Sequence, residues 1–252
     1  MNLIGHFTCA AVPSPEVRAG SVLPDLVALY RRAVRPRALL RAWEQAEPAP
    51  EMAGLCAGVA FHHTVDARFH ASPLFRFGAD GIQAALLGAS RAPGLKRFLP
   101  AHVLCELYLD HLLLLRDPGL ADALYRDLEG ALERIATFVA RHPAADAASF
   151  RMFLERFVAG RFLAAYRTHA GVLERMNLML PRFGQRTLGT AEQAAVAAWF
   201  REAADETERR LEPFLQEMHG LAPQDALGPS AADWRAAAAQ QWAAGRLSLQ
   251  FA

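Results

Sequence analysis

Apolar residues recur at helical spacing along most of this chain, and this pattern predicts an all-α fold. Residues 100–116 are apolar on nearly every side, so they predict a central, buried helix. One face of 119–142 carries the apolar side chains of an amphipathic helix, namely Leu120, Leu124, Leu128, Leu132, Ile135, Phe138 and Val139. No segment alternates polar and apolar positions as a half-buried strand does. We therefore expect a compact multi-helix bundle of eight or more helices.

Proline and glycine divide the rest of the chain. Ser72-Pro73 should end the helix that contains 58–70. Residues 78–100 contain scattered glycine and proline and a short apolar piece at 82–87. Other predicted segments are a long helical stretch at 146–180 with kinks at Gly160 and Gly171, an amphipathic helix at 192–219, a linker at 220–230 and a helix at 231–244.

Composition narrows the class of protein. With 252 residues, 53% hydrophobic and 21% charged, the chain can bury a substantial core, and its net charge of +1 gives no general argument for nucleic acid. Three widely spaced cysteines form no metal motif and favour a reducing compartment. The first residues show no signal peptide, and the most apolar run, Leu107–Leu115, is too short to span a bilayer. These features predict a cytoplasmic protein that binds neither nucleic acid nor membrane.

The segment 58–70 is rich in groups that bind metals. His62, Asp66 and His70 follow one another at i, i+4 and i+8, so a helix would stack them on one face. Imidazole and carboxylate together suit Mn, Fe or Zn better than Ca or Mg. Surface ion pairs between Asp and His are the alternative, and this segment alone does not decide between them.

Acidic residues also interrupt two apolar segments. Asp25 lies within the apolar stretch 22–29, where it could cap a helix, pair with an arginine or bind metal, because an unpaired buried carboxylate is costly. On the predicted central helix, Glu106 and Asp110 are one turn apart and repel each other unless a cation or a proton lies between them. His111 follows directly. On this buried helix we favour a functional site over structural pairs.

Five arginines lie within eleven residues of a chain that is nearly neutral. A docking surface for an acidic partner, steered by charge, is one interpretation. A solvated helix face balanced by nearby glutamates fits the pattern equally well. Aromatic residues do not interleave with the arginines as they do where single-stranded nucleic acid binds. The five are Arg31, Arg32, Arg35, Arg37 and Arg41.

Four short segments stand in the order and spacing of the motifs of a known family. They are Met1–His6, Gly20–Asp25, His62–Asp66 and Glu106–His111, with Tyr166-Arg167 and Arg182 also in matching places. The chain thus resembles the acyl-carrier-protein phosphodiesterases (ACP hydrolases), which are related to HD-domain phosphohydrolases. The resemblance runs to about residue 219 and implies an HD-like helical hydrolase domain at 1–219. A C-terminal linker and helix at 220–252 would pack on that domain.

The resemblance implies a divalent metal, taken as Mn²⁺ with Fe²⁺ or Mg²⁺ as alternatives. It also implies hydrolysis of the phosphodiester that joins 4′-phosphopantetheine to a serine of acyl carrier protein. The catalytic candidates carried over are Asp25, Asp66 and Asp110. The metal-ligand candidates are His6, Asp25, His62, Asp66, Asp110 and His111. The substrate-binding candidates are Arg31, Arg32 and Arg35, which would face the acidic carrier protein, and Arg182.

Two departures from the family leave other functions open. His63 stands where the family has an arginine, and His70 where it often has an aspartate. An HD-like phosphohydrolase for a small nucleotide or another phosphate ester would share the metal site without needing the arginines. A non-enzymatic helical binding protein would use the histidines and acids as structural pairs. If Asp66 and Asp110 share one cation, the hydrolase interpretations hold and the binding-protein interpretation fails.

Overall fold

The structure, a computed structural model, describes residues 1–31, 33–44, 50–90 and 95–221. All regular structure within these residues is helical, which confirms the predicted all-α class. The predicted helix at 231–244 and the predicted linker beyond Leu221 lie outside the described residues, so the boundary between 219 and 220 stays a prediction.

Twelve α-helices and three short 3-10 helices account for the regular structure of the described residues. The α-helices are α1 (Leu3–Cys9), α2 (Pro15–Tyr30), α3 (Pro36–Glu44), α4 (Ala53–Ala71), α5 (Pro73–Ala89), α6 (Phe98–Arg116), α7 (Leu120–Gly130), α8 (Leu132–Ala140), α9 (Ala147–Gly160), α10 (His169–Met179), α11 (Thr190–Glu202) and α12 (Ala204–Leu221). The 3-10 helices are Pro50–Met52, Phe162–Arg167 and Leu180–Phe183.

The chain divides into two units, each assembled from separated segments. The first unit contains Met1–Gly5, Arg68–Ala121 and Phe162–Glu217. The second contains His6–Ala67, Asp122–Arg161 and, within the described residues, Met218–Leu221. The division falls within α1, α4, α7 and α12, so each of these helices contributes residues to both units.

Helix α6 forms the core of the first unit, as its apolar sequence predicts. Helices α5 and α10 pack against it, and most of its side chains from Pro100 to Leu114 are buried. By length and composition α6 could also cross a membrane. Because buried core helices of soluble proteins pass the same test, this finding alone is weak evidence for a membrane span.

The helical pattern at 119–142 is interrupted, so the expectation of one helix is wrong there, and the pattern at 146–180 is interrupted at the predicted kink at Gly160. The first breaks at Ala131, whose ψ of 3° leaves the helical range directly after Gly130. The second breaks at Arg161, which follows Gly160 and takes a left-handed φ of 46°. Glycine stabilises a helix poorly, and a left-handed residue commonly ends one. Gly171, by contrast, lies inside α10 and does not break it.

Helix α5 begins directly after Ser72 and continues into the segment of scattered glycine and proline. Ser72 caps it by accepting a hydrogen bond from the Phe75 amide at 3.1 Å, and Pro73 occupies its first turn. Gly81, inside this helix, serves close packing. A Cβ at Gly81 would meet the ring of Trp199, with Cζ2 at 2.7 Å. The contact between α5 and α11 therefore requires glycine at position 81. The local sequence does not reveal this contact.

Candidate metal centre

Helices α2 and α4 approach each other closely at two glycines. A Cβ at Gly20 would lie 2.6 Å from the Leu55 carbonyl oxygen and 3.0 Å from the Gly58 Cα. A Cβ at Gly58 would overlap the Val17 carbonyl oxygen and lie 2.7 Å from the Gly20 Cα. Real Cβ atoms do not come this close to backbone, so only glycine permits this crossing.

The crossing sets the positions of the polar side chains on both helices. On α4, His62 lies one turn and Asp66 two turns after Gly58, so all three share a face. On α2, Asp25 lies one turn after Ser21, which directly follows Gly20. The close backbone contact therefore brings Asp25 of α2 opposite His62 of α4.

Three donor groups converge beside this crossing in the second unit. One ligand atom each from His6, Asp25 and His62 lies within 4.8 Å of the other two. The rings of His6 and His62 stack at 3.8 Å between centroids, with an interplanar angle of 26°. Asp66 joins the group, since its Oδ1 lies 3.8 Å from His6 Nε2. The structure thus brings together four of the six predicted metal ligands.

Burial and one hydrogen bond prepare His62 for ligation. Its Nδ1 donates to the Ser21 carbonyl oxygen at 2.8 Å, and because a carbonyl can only accept, the neutral ring keeps its lone pair on Nε2. Burial, followed by the nearby His63, lowers the pKa of His62 to about 3. His62 is therefore neutral at pH 7, which is the form that binds metals.

The chemistry of the donors fits a divalent transition metal. Two imidazoles and a carboxylate suit Mn, Fe or Zn, and a second carboxylate is at hand in Asp66. His6 is fully buried, whereas the side chain of Asp66 is 28% exposed. The group therefore has a closed side at His6 and a side open to solvent at Asp66, as a site that admits a substrate requires.

His63 and Arg37 stand together beside this group. Burial, followed by the positive charge of Arg37, lowers the pKa of His63 to about 4. His63 therefore contributes no charge near pH 7, and the guanidinium of Arg37 is close enough for its charge to act on this ring. Arg37 is half-buried on α3, in the same unit as the donor group.

Asp110 and His111 lie in the first unit, where each has a structural partner. Asp110 is fully buried and accepts hydrogen bonds from the amides of Gly5 at 2.8 Å and Ile4 at 3.2 Å. These amides belong to the first turn of α1, where backbone N–H groups have no acceptor within their own helix. His111 Nδ1 donates to the Tyr166 carbonyl oxygen at 2.7 Å. Sharing of one cation by Asp66 and Asp110 stays a prediction.

The repulsion expected between Asp110 and Glu106 is resolved by separate partners. Burial, opposed by the two amide hydrogen bonds, raises the pKa of Asp110 to about 7. Glu106 instead contacts the imidazoles of His70 and His102. The sequence left either a cation or a proton to relieve this repulsion. The structure is consistent with a proton on Asp110 near neutral pH.

Replacing Asp110 by asparagine should flatten the pH dependence of stability in metal-free protein. Because the folded-state pKa is raised from 3.8 to about 7, the folded chain holds a proton that the unfolded chain loses in this range. Wild-type stability should therefore fall by a few kcal/mol as pH rises from about 4 to 7 through this group. Denaturation of Asp110→Asn over this range should show less of that fall. The exposed Asp80→Asn serves as control and should keep the wild-type slope.

The arginine candidates lie in different surroundings. Arg31 and Arg35 are exposed after α2, where Arg31 Nη1 donates to the Ala144 carbonyl oxygen at 3.0 Å and the Arg35 amide donates to His142 Nε2 at 3.3 Å. Arg32 lies outside the described residues. Arg182 is exposed on the 3-10 helix Leu180–Phe183 of the first unit, whereas Arg31 and Arg35 belong to the second.

One group of donors contains a residue that the sequence-based candidates missed. His70, His102 and Glu106 meet in the first unit, each offering a ligand atom within 4.8 Å of the others. His102 was not a candidate, although its spacing of four from Glu106 on a predicted helix was the available signal. His70 belongs to α4 and shares a sequence pattern with His62 and Asp66, yet it joins this different group.

Comparisons with known proteins add nothing to this geometry. No protein-family model matches the chain, and no match was found among curated proteins or solved structures.

Proposed function

We propose that this protein is a divalent-metal-dependent phosphodiesterase that releases 4′-phosphopantetheine from holo-acyl carrier protein. The convergence of His6, Asp25 and His62 within 4.8 Å, from three helices, is the observation that carries the proposal. These residues come from three of the four segments in which the sequence resembles ACP hydrolases. Two buried imidazoles and a carboxylate that converge from segments far apart in sequence are candidates for a functional site.

A divalent cation, when bound, supplies Lewis-acid stabilisation to a phosphate ester. The chain's own residues would orient the reactants. Ser21 fixes the ring of His62, and His6 packs flat against it. Asp66, on the solvent side, would accept a proton from the attacking water. Arg37, beside His63, would bind the phosphate.

The test is direct hydrolysis of the carrier. Full-length protein is incubated with holo-acyl carrier protein and Mn²⁺, and intact mass spectrometry follows the conversion of holo to apo carrier. We expect complete conversion with Mn²⁺ and none after chelation. An unchanged carrier mass, together with Mn²⁺-dependent cleavage of a small diester, would redirect the proposal to a small phosphate ester. Inactivity toward both would refute the hydrolase.

Replacing Arg31 and Arg35 together by serine should slow cleavage of the carrier without slowing cleavage of a small diester. Carrier proteins of this class are acidic, so exposed arginines accelerate encounter by an effect of roughly tenfold that weakens with salt. The measurement is kcat/KM for both substrates over a series of NaCl concentrations. The double variant Arg126→Ser and Arg156→Ser removes the same charge from exposed positions of the same unit. An equal loss in both double variants would argue against a specific docking surface.

A further inference from the structure

A second group of possible ligands lies in the first unit, formed by His70 near the end of α4 and by His102 and Glu106 on α6. The two imidazole Nε2 atoms are 3.1 Å apart. Glu106 Oε1 lies 3.3 Å from His70 Nε2 and 3.0 Å from His102 Nε2. Three donor atoms therefore form a nearly equilateral triangle.

Hydrogen bonds alone account poorly for this triangle. Each Nε2 offers either one proton or one lone pair, directed outward in the plane of its ring. With one ring protonated at Nε2, its single proton is shared between the other ring and the carboxylate. With both rings protonated there, two N–H groups lie 3.1 Å apart and repel each other. A cation at the centre, in contrast, is satisfied by all three atoms at once.

The dimensions agree with metal coordination. Ligands bound tetrahedrally at roughly 2.0–2.1 Å from Zn²⁺ stand about 3.3–3.4 Å apart, and ligands at right angles about 3.0 Å apart. The observed separations of 3.0, 3.1 and 3.3 Å fall within or close to this range. The spacing of His102 and Glu106, one turn apart on α6, also sets them on one face of the helix.

The surroundings suit a site that exchanges its metal with solvent. The side chains of His70, His102 and Glu106 are 23%, 27% and 16% exposed, so the triangle is open on one side. The ring of Phe75 packs edge-on against both imidazoles, with centroids at 4.8 and 4.9 Å, and restricts their orientation.

A further cationic group lies beside Glu106. The Met1 amine, 3.3 Å from Glu106 Oε1, gives the carboxylate a cationic partner even without metal.

From this geometry we infer that His70, His102 and Glu106 form a second site for a divalent transition metal such as Zn²⁺, separate from the group at His62. The ion joins the end of α4 to α6 within the first unit and leaves a coordination position open to solvent. The inference does not depend on the proposed function, because no residue is shared between the two groups.

The experiment titrates Co²⁺ into metal-free full-length protein and follows its visible absorption and stoichiometry, with Zn²⁺ as competitor. Wild type should bind two ions per chain. His102→Gln should bind one and lose affinity for the other by about 100-fold, since removing a residue that only orients a ligand already costs roughly 10–100-fold. His62→Gln should lose the other ion. His169→Gln, a half-buried histidine of the first unit outside both groups, should bind two.

Each outcome has a defined meaning. A single ion that is lost in His102→Gln and kept in His62→Gln supports the inference while contradicting the metal site of the proposed function. Unchanged stoichiometry and affinity in His102→Gln, or binding that is lost only in His62→Gln, overturns the inference. Circular dichroism must show a native fold for every variant. If His102→Gln fails that check, Glu106→Gln, which keeps the side-chain shape, replaces it.

Discussion

Replacing His62 by glutamine should reduce metal affinity at the His6 group by about 100-fold and hydrolysis by about 10³-fold or more. Glutamine is neutral, polar and of similar size, but it lacks the imidazole lone pair that would bind the metal. The loss of rate follows because Lewis-acid stabilisation is worth several kcal/mol, and each 1.36 kcal/mol is tenfold in rate. Steady-state assays with holo-carrier and Mn²⁺ titrations measure both effects.

The decisive comparison is thermal stability with and without Mn²⁺. In wild type, a ligand that binds only the folded chain raises the melting temperature, and this rise should be smaller in His62→Gln. His169→Gln, in the other unit, should keep both the rise and the activity. If His62→Gln retained wild-type activity and its response to Mn²⁺, the histidine would be a structural residue and the proposed site would fail.

Replacing Gly58 by alanine should destabilise the second unit by about 3 kcal/mol or more, toward the upper end of the cost of overpacking. The added methyl group would overlap the Val17 carbonyl oxygen, and no side-chain rotation can relieve a clash with backbone. α2 and α4 must then separate, which moves Asp25 away from His62. Melting temperature should fall by roughly 6–12 °C, because 1 kcal/mol corresponds to about 2–4 °C in a chain of this size. Metal affinity should fall with it.

Gly88→Ala provides the matched control for this prediction. Gly88 is exposed on α5, and a Cβ there would have no atom within 4 Å among the described residues. The same substitution should therefore leave stability unchanged or raise it by up to about 1 kcal/mol, since alanine favours a helix. A Gly58→Ala protein as stable as Gly88→Ala would show that the two helices do not need their close contact.

The sequence predicted some elements well because their signals are local. The apolar run in α6 marks a buried helix wherever it packs, and Ser72-Pro73 fixes the join between α4 and α5 through a cap and a restricted backbone. The break at Ala131 was not predicted, and the break at Arg161 was predicted only as a kink at Gly160. Apolar periodicity continues across both, because it reports which face of each helix is apolar and not whether the backbone is continuous.

Local sequence thus determined that the chain is helical, where its most apolar helix lies and which residue types carry metal chemistry. It could not assign those residues to sites. His62 and His70 lie on one stretch of α4, yet the structure places them in different groups, one with His6 and Asp25 and the other with His102 and Glu106. Which donors meet depends on where helices cross, and the crossing depends on contacts such as Gly20 with Gly58 between residues 38 positions apart. Periodicity reports which face of a helix is apolar, whereas only tertiary packing decides what that face touches.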